Sequence, residues 1–159
     1  MARVLVVYYS RSGRTELMAN RIAETLRAEG LDVVCKKVQD ADVDELLAFD
    51  GVVVGSPTYY GTMAAEIKSF LDRSVKHHGK LEGKVGAAFA SAGSTGHETT
   101  VLSIVEALLI HGMVVQGDSQ GMHYGLTFVG NTQSLDDKAA RRFAQRFAAL
   151  VKRVRATPR

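Results

Sequence analysis

The chain has 159 residues, of which 46% are apolar and 23% are charged, as in an ordinary globular protein. Its formal net charge is only +3, so we expect no nucleic-acid binding. Its one cysteine is Cys35, so a disulfide or cysteine-based metal site within one chain is excluded. No apolar run approaches a membrane span and the chain opens on a strand pattern rather than a signal peptide, so we expect one cytoplasmic domain over residues 1–159 without membrane insertion.

Apolar runs typical of buried strands alternate along the chain with segments of helical periodicity. The predicted strands are Arg3–Tyr9, Leu31–Val38, Gly51–Gly55, Lys84–Phe89 and Val114–Gln116. The predicted helices are Glu16–Glu29, Asp42–Phe49, Ala64–Arg73, Thr99–His111 and Asp136–Arg155, and the glycine-rich segment Asp118–Ser134 is predicted to be irregular. This alternation predicts an α/β three-layer sandwich, with a five-stranded parallel sheet of order 2-1-3-4-5 and helices on both faces.

Three polar loops follow the first, third and fourth predicted strands. They are Ser10-Arg11-Ser12-Gly13-Arg14-Thr15, Ser56-Pro57-Thr58-Tyr59-Tyr60-Gly61-Thr62 and Ser91-Ala92-Gly93-Ser94-Thr95-Gly96. Sheets of this type bind ligands outside the carboxyl ends of their strands, where the strand order reverses. The sequence therefore predicts one site to which all three loops contribute.

The first loop, Ser10 to Thr15, combines three hydroxyls, one glycine and two arginines at the predicted start of a helix. Unpaired N–H groups and the helix dipole attract anions there, so the loop suits a phosphate monoester. It contains neither a GxxxxGK[ST] P-loop nor the three glycines of a dinucleotide fingerprint. The alternative is a plain helix N-cap, for which serine and threonine are common.

The other two loops suit a flat ring. In the second, Tyr59 and Tyr60 precede Gly61, which permits close approach of backbone to a ligand. In the third, Gly93 and Gly96 stand among small hydroxyls. A phosphate at one end and a planar ring at the other describe a mononucleotide-like cofactor, and flavin mononucleotide (FMN) fits best. The alternatives are an ordinary structural role for each tyrosine and a plain turn for the glycines.

The segments that carry a family resemblance are Val6-Val7-Tyr8-Tyr9-Ser10, Gly55-Ser56-Pro57-Thr58-Tyr59-Tyr60-Gly61-Thr62-Met63, Phe70-Leu71-Asp72, Phe89-Ala90-Ser91-Ala92-Gly93-Ser94-Thr95-Gly96 and His111-Gly112-Met113-Val114-Val115. Over nearly its whole length the chain resembles the flavodoxin superfamily, and in particular its tryptophan-repressor-binding-protein type of NAD(P)H:quinone oxidoreductase. The resemblance implies that Ser10 to Thr15 hold the FMN phosphate, that Pro57 to Gly61 contact the ring, and that Ser91 to Gly96 line its other side and the ribityl chain. It also implies a homo-oligomer, a dimer or tetramer, that completes each active site across an interface.

More than one function fits these residues. In an enzyme, FMN would take a hydride from NAD(P)H and pass two electrons to a quinone-type acceptor in alternating half-reactions, and no catalytic side chain would be required. His123 or Tyr124 could then hydrogen-bond the acceptor; the alternative is a loop histidine without such a role. A one-electron carrier is the second hypothesis, although such carriers are typically acidic and this chain is basic, and an FMN-binding sensor stays open.

Two further expectations concern partners. The histidines are scattered and lack the spacing of metal ligands, so no metal is expected. The helix Thr99–His111 is apolar around most of its circumference, whereas a surface helix should have a polar face. We therefore expect another subunit to cover part of it, with cover by the loop Asp118–Ser134 as the alternative.

Overall fold

A twisted parallel sheet forms the centre of the computed structural model, which describes residues 1–131 and 135–157. Its strands are β1 (Arg3–Tyr8), β2 (Asp32–Lys37), β3 (Gly51–Pro57), β4 (Val85–Ala92), β5 (Val114–Val115) and β6 (Leu126–Val129). The α-helices are α1 (Arg14–Ala28), α2 (Ala65–Arg73), α3 (His97–Ile110) and α4 (Asp137–Ala156). The strands follow the order β2-β1-β3-β4-β5, which confirms the predicted topology.

Short 3-10 helices connect some of these elements. They span Val38–Asp40, Val43–Ala48 and Ser74–His77. The helix predicted over Asp42–Phe49 therefore forms as a 3-10 helix. Its start is fixed by a capping box. The Asp42 carboxylate accepts from the backbone N–H of Asp44, and the Glu45 carboxylate accepts from the backbone N–H of Asp42.

The sheet has six strands rather than the five predicted, because the position beside β4 is divided between two short strands, β5 and β6. β5 pairs with Val85 and Gly86 near the start of β4, whereas β6 pairs with Phe89–Ala92 at its end. The prediction that Asp118–Ser134 is irregular is therefore wrong over Leu126–Val129. In β6 the alternate residues Leu126 and Phe128 are buried, but four residues between glycines give too short a pattern to stand out.

The core has two layers, one on each face of the sheet. Val4 and Val6 of β1 face the layer that contains α1 and α4, while Leu5 and Val7 face the layer that contains α2 and α3. All four valine and leucine side chains are fully buried. Burial on both faces explains why β1 is a continuous apolar run rather than an alternating one.

Candidate cofactor site

The first polar loop forms a tight turn between β1 and α1. Gly13 has a φ of +97°, in the left-handed region that favours glycine. Its N–H donates to the Ser10 hydroxyl at 3.1 Å, and α1 begins at the next residue. Within the described residues no side-chain oxygen caps α1, so the serine and threonine of this loop do not act as the plain N-cap considered above. The first turn of α1 keeps backbone donors that could bind an anion.

Two side chains of α1 connect this loop to the end of β4. The hydroxyls of Thr15 and Ser91 lie 2.8 Å apart, and both residues are buried. The Arg14 guanidinium donates from Nη1 to the carbonyl oxygen of Gly130 at 2.7 Å and to that of Ala92 at 3.4 Å. The first and third predicted site loops are therefore joined through hydrogen bonds, and the end of β6 is joined with them.

The second loop is a tight hairpin that follows β3. Tyr59 and Thr62 exchange both backbone hydrogen bonds, at 3.0 and 3.2 Å, around a two-residue turn of Tyr60 and Gly61. Both turn residues have positive φ, +51° and +78°, as in a type I′ turn. Glycine tolerates this conformation but tyrosine does so only at a cost, and the Tyr60 side chain is fully exposed. Such strain in an exposed aromatic residue is a frequent property of ligand-contacting loops.

The third loop packs directly against the second. Gly96 has a φ of +81°, and a Cβ atom there would lie 3.0 Å from the Cα of Gly61 and 3.1 Å from the Cγ2 of Thr58. The Thr99 hydroxyl, in the first turn of α3, donates to the carbonyl oxygen of Gly61 at 2.6 Å. The backbone N–H of Thr58 donates to the carbonyl oxygen of Ser91 at 2.7 Å. The structure thus brings the three predicted loops together at the carboxyl ends of the central strands.

The first two loops line an open pocket of about 520 Å³ through Arg11, Thr58, Tyr59 and Tyr60. This volume is in the range of small-molecule sites. The Oγ1 atom of Thr58 is buried and has no hydrogen-bond partner among the described residues. Desolvation and then the Glu66 carboxylate raise the pKa of the nearby Tyr9 hydroxyl. A cation, aromatic rings and an unsatisfied hydroxyl fit a phosphorylated planar ligand such as the expected FMN.

The other predicted site residues lie at the exposed tips of the loops or at the end of a strand. Gly93, Ser94 and Thr95 are exposed at the tip of the third loop, and Ser12 is exposed in the first. Pro57 is the last residue of β3. Sequence reasoning missed Thr99 and included Ser56 in the second loop without a role of its own. The Ser56 hydroxyl accepts from the N–H of Ala64 at 2.8 Å and thereby fixes the second loop at its base.

His123 and Tyr124 lie apart from the three loops, on the segment between β5 and β6. The His123 Nδ1–H donates to the carbonyl oxygen of Asp118 at 2.7 Å, and its ring meets that of Tyr124 edge to face at 6.3 Å. A Cβ atom at the adjacent Gly125 would lie 2.3 Å from the carbonyl oxygen of Ala88. Ala88 lies four residues before the end of β4, which is about 13 Å at 3.3 Å per residue. Gly125 therefore lies well below the strand ends at which the three loops meet. The acceptor role of His123 and Tyr124 stays a prediction.

Ionisable groups elsewhere form small local pairs. The Nε2 atom of His77 lies 2.7 Å from the Asp44 carboxylate, and that of His111 lies 2.7 Å from the Ser74 hydroxyl. Burial, followed by the neighbouring His78 and His77, lowers the pKa of His111. Within residues 1–131 and 135–157, no three His, Cys, Asp or Glu side chains are grouped to hold a metal ion, and no helix is long and apolar enough to cross a membrane.

A sequence profile of the flavodoxin domain matches residues 5–109, a span that includes all three loops. The chain belongs to the flavodoxin domain family. Among curated relatives, a protein of Azorhizobium caulinodans named NAD(P)H dehydrogenase (quinone) is 39% identical over 141 residues, which cover 74% of this chain and 71% of the relative. A protein of Sinorhizobium fredii with the same name is 38% identical over 141 residues, with the same coverage of 74% and 71%.

Solved structures of flavodoxin-family proteins have the same fold. Oxidised flavodoxin 2 from Bacillus cereus superposes with a TM-score of 0.78 at 32% identity, and the match covers 93% of this chain and 99% of that one. A WrbA-like flavodoxin from Agrobacterium tumefaciens superposes with a TM-score of 0.79 at 24% identity, with coverage of 96% and 99%. The match to the second structure supports the fold alone. The predicted superfamily is confirmed.

Proposed function

We propose that this chain is an FMN-dependent oxidoreductase that passes electrons from NAD(P)H to a quinone-type acceptor by ping-pong two-electron transfer. The observation that carries the proposal is the identity of 39% over 141 residues with a protein named NAD(P)H dehydrogenase (quinone). Membership of the flavodoxin domain family and the convergence of the three loops support FMN as the cofactor. The cofactor domain would extend over residues 1–159, and its cytoplasmic location stays a prediction.

Each loop would hold a different part of the cofactor. Ser10, Arg11, Ser12, Gly13, Arg14 and Thr15 would bind the phosphate through hydroxyls, backbone N–H groups and the positive end of α1. Pro57, Thr58, Tyr59, Tyr60 and Gly61 would contact the ring, with the unsatisfied Thr58 hydroxyl as a hydrogen-bond partner. Ser91, Ala92, Gly93, Ser94, Thr95 and Gly96 would line its opposite side.

FMN supplies the hydride chemistry when bound, and the protein residues orient it and exclude water. The joined backbones of Gly61 and Gly96 would form a fixed wall beside the ring, since no side chain can be inserted between them. The exposed Tyr60 ring would stack on a flat surface of the ligand. His123 and Tyr124 would contact the acceptor. Because they lie on the β5–β6 segment, apart from the three loops, this part of the proposal requires its own test.

A one-electron carrier is the second candidate. Oxidised flavodoxin 2 from Bacillus cereus is 32% identical to the chain over nearly its whole length, which favours this alternative more than fold similarity alone would. The two candidates differ in what they need from other proteins. An enzyme accepts electrons directly from NAD(P)H, whereas a carrier requires a separate reductase.

Steady-state turnover separates the two candidates. FMN-loaded protein would be mixed with NADH or NADPH and a benzoquinone, and nucleotide oxidation would be followed by absorbance. We expect oxidation that depends on both the protein and the quinone. If the nucleotide is oxidised only after a reductase is added, the chain is a carrier and the proposed enzymatic function is wrong.

We also propose that the protein is a homo-oligomer, a dimer or tetramer, in which α3 takes part. Leu109 and Ile110 at the end of α3 are 54% and 72% exposed, and the neighbouring Val75 is 68% exposed. The segment after β5 packs against Val101 rather than over these side chains, so the alternative cover by that segment gains no support. Size-exclusion chromatography with light scattering tests the proposal, and a monomeric mass at all concentrations would contradict it.

A further inference from the structure

The positive charge of the chain is concentrated in helix α4. This helix carries seven Lys or Arg residues and one Asp, a net charge of +6. The rest of the chain contains 13 Lys or Arg and 16 Asp or Glu, a net charge of −3, and the two parts give the overall +3. The cations of α4 are Lys138, Arg141, Arg142, Arg146, Lys152, Arg153 and Arg155. Helix α4 is therefore a local cationic feature on a body of opposite sign.

Four of these cations form an exposed row along the helix. The apolar side of α4, which includes Ala144, Phe147 and Val151, is buried against the sheet and α1. Helical periodicity places the cationic row, defined as Lys138, Arg141, Lys152 and Arg153, within an arc of about 120° on the exposed side of the helix, over about 22 Å. All four residues are exposed, and among the described residues none offers them an ion-pair partner. The usual balance of opposite charges on a solvated helix is absent from this face.

The segment Gln116–Gly125, here called the edge loop, is held against the same helix. The Asp118 carboxylate accepts from Nε and Nη2 of Arg142 at 2.7 and 2.8 Å, and Arg142 holds the pKa of Asp118 far below its usual range. The Arg146 guanidinium donates to the carbonyl oxygen of Gly117 at 2.7 Å. The edge loop also carries Met122 and Tyr124, which are 40% and 46% exposed.

The contact between the edge loop and α4 is apolar beneath these ion pairs. Met122, Phe143, Phe147 and Leu150 are among the side chains that line a cavity of about 60 Å³ between the loop, the helix and the sheet edge. The sulfur of Met122 also accepts from the backbone N–H of Thr127 at 3.0 Å. These contacts place exposed apolar and aromatic groups next to the cationic helix.

We propose that the cationic row and the edge loop together form a docking surface for an anionic lipid bilayer. A flat charged surface can engage the whole row at once, and each Lys or Arg near an anionic leaflet strengthens binding about fivefold. Tyrosine suits the headgroup region, where its apolar ring and polar hydroxyl are both accommodated, and the apolar Met122 side chain would contact the boundary of the acyl chains. Because the apolar face of α4 is buried inside the protein, docking is peripheral and no helix inserts.

A bilayer fits this surface better than a nucleic acid does. The cationic row stands beside the exposed Met122 and Tyr124, and a bilayer offers both anionic headgroups for the cations and an apolar layer for these side chains. Phosphate contacts would also leave Met122 and Tyr124 without a role. The docking surface excludes the three loops at the strand ends, although its edge loop contains His123 and Tyr124, which are also proposed to contact the acceptor. Vesicle binding is measured without turnover, so the docking surface is tested independently of the proposed reaction.

Co-sedimentation with lipid vesicles tests the docking surface. The FMN-loaded full chain would be mixed with vesicles of phosphatidylglycerol and phosphatidylcholine in equal parts, and with vesicles of phosphatidylcholine alone. We expect binding to the first and not to the second, and loss of binding at high salt, because screening shortens the Debye length from about 10 Å at 0.1 M to about 3 Å at 1 M. Equal binding to both vesicles, or binding that salt does not weaken, would overturn the proposal.

Charge-matched variants locate the surface. The double variant Arg141→Gln/Lys152→Gln should bind anionic vesicles about 25-fold more weakly. The control Arg73→Gln/Lys80→Gln removes the same charge from exposed positions outside α4 and should bind nearly as the parent does. Circular dichroism and thermal unfolding establish that both variants fold. If the two doubles weaken binding equally, the effect is one of net charge and the cationic row is not the surface.

A fluorescent reporter tests the edge loop separately. The chain contains no tryptophan, so Tyr124→Trp introduces a single reporter. Its emission should shift to the blue on addition of anionic vesicles and should stay unchanged with phosphatidylcholine alone. Vesicle binding without this shift would remove the edge loop from the docking surface.

Tighter binding to a DNA duplex than to anionic vesicles would replace the lipid with nucleic acid as the partner.

Discussion

Thr58 has a buried hydroxyl oxygen without a hydrogen-bond partner among the described residues. A buried polar group in this state costs about 1–3 kcal/mol, so proteins keep such groups mainly where a ligand satisfies them. Thr100 makes a natural comparison, because its buried hydroxyl donates to the carbonyl oxygen of Gly96 at 2.8 Å. The two threonines lie close together but differ in whether the protein itself satisfies them.

The substitution Thr58→Val should therefore raise the stability of the FMN-free protein by about 1 kcal/mol, because an unsatisfied hydroxyl is replaced by a methyl group. The same variant should bind FMN about tenfold more weakly if the hydroxyl bonds the ring. Thr100→Val should instead lower the stability by about 1 kcal/mol. Urea unfolding and FMN titration measure both effects. Equal destabilisation by the two substitutions would contradict the assignment of Thr58.

Arg14 is expected to position the first and third loops relative to each other. Its guanidinium donates to the carbonyl oxygens of Gly130 and Ala92, and Ala92 directly precedes the third loop. The substitution Arg14→Met should weaken FMN binding at least about tenfold and lower stability by about 2 kcal/mol, since charged hydrogen bonds are lost. Phosphorus NMR of bound FMN should show a shifted phosphate signal, because the first loop would no longer be held in place beside the phosphate.

Arg27 provides the matched control for Arg14. It lies on the same helix and its guanidinium also donates to a backbone carbonyl oxygen, that of Val33 at 3.2 Å, but at the opposite end of α1. Arg27→Met should lower stability to a similar or smaller extent and leave FMN affinity unchanged. If both variants reduce FMN affinity alike, Arg14 acts only through the stability of α1.

At the scale of elements, the sequence predicted the central sheet more accurately than its edge. Strands β1, β3 and β4 are long and apolar because both faces are buried, and that pattern identifies them without tertiary information. The loops after them could be assigned to one site because parallel topology fixes where their ends meet. The contacts between loops, such as Thr99 with Gly61, depend on three-dimensional packing and could not be predicted.

The edge of the sheet shows why strand β6 was not predicted from the sequence. Strand β5 was predicted as Val114–Gln116 and forms over Val114–Val115, whereas the four residues of β6 are too few to give a reliable periodic pattern. The return of the chain to the sheet depends on Gly125, where a Cβ atom would collide with the carbonyl oxygen of Ala88 at 2.3 Å. In the sequence this glycine is indistinguishable from the others in the same region.

Gly125→Ala should consequently destabilise the protein by about 2 kcal/mol, because the backbone of β4 would have to shift to accept the methyl group. Gly93→Ala is the control, since a Cβ atom at Gly93 meets nothing within 4 Å, and it should change the stability of the FMN-free protein by less than about 0.5 kcal/mol. Urea unfolding gives both values, and hydrogen exchange should show faster opening of β6 in Gly125→Ala. Equal stabilities for the two variants would contradict the close packing of the edge loop on β4.

At the scale of the whole molecule, net charge proves to be a poor guide to function. The overall value of +3 disfavours a carrier in the sequence analysis, yet the chain outside α4 has a net charge of −3. A flavodoxin-like acidic body and a cationic helix are therefore combined in one molecule, and the sum hides both. The preference for an enzyme over a carrier depends instead on the relatives named NAD(P)H dehydrogenase (quinone).

Titration of the FMN-free protein with FMN and with riboflavin tests most directly whether the three loops form one cofactor site. Riboflavin has the same ring system but lacks the phosphate that Ser10 to Thr15 are proposed to bind. We predict that one FMN binds per chain and that riboflavin binds at least about 100-fold more weakly, because the phosphate contributes several charge-assisted hydrogen bonds. Failure to bind either ligand, or equal affinity for both, would contradict the account.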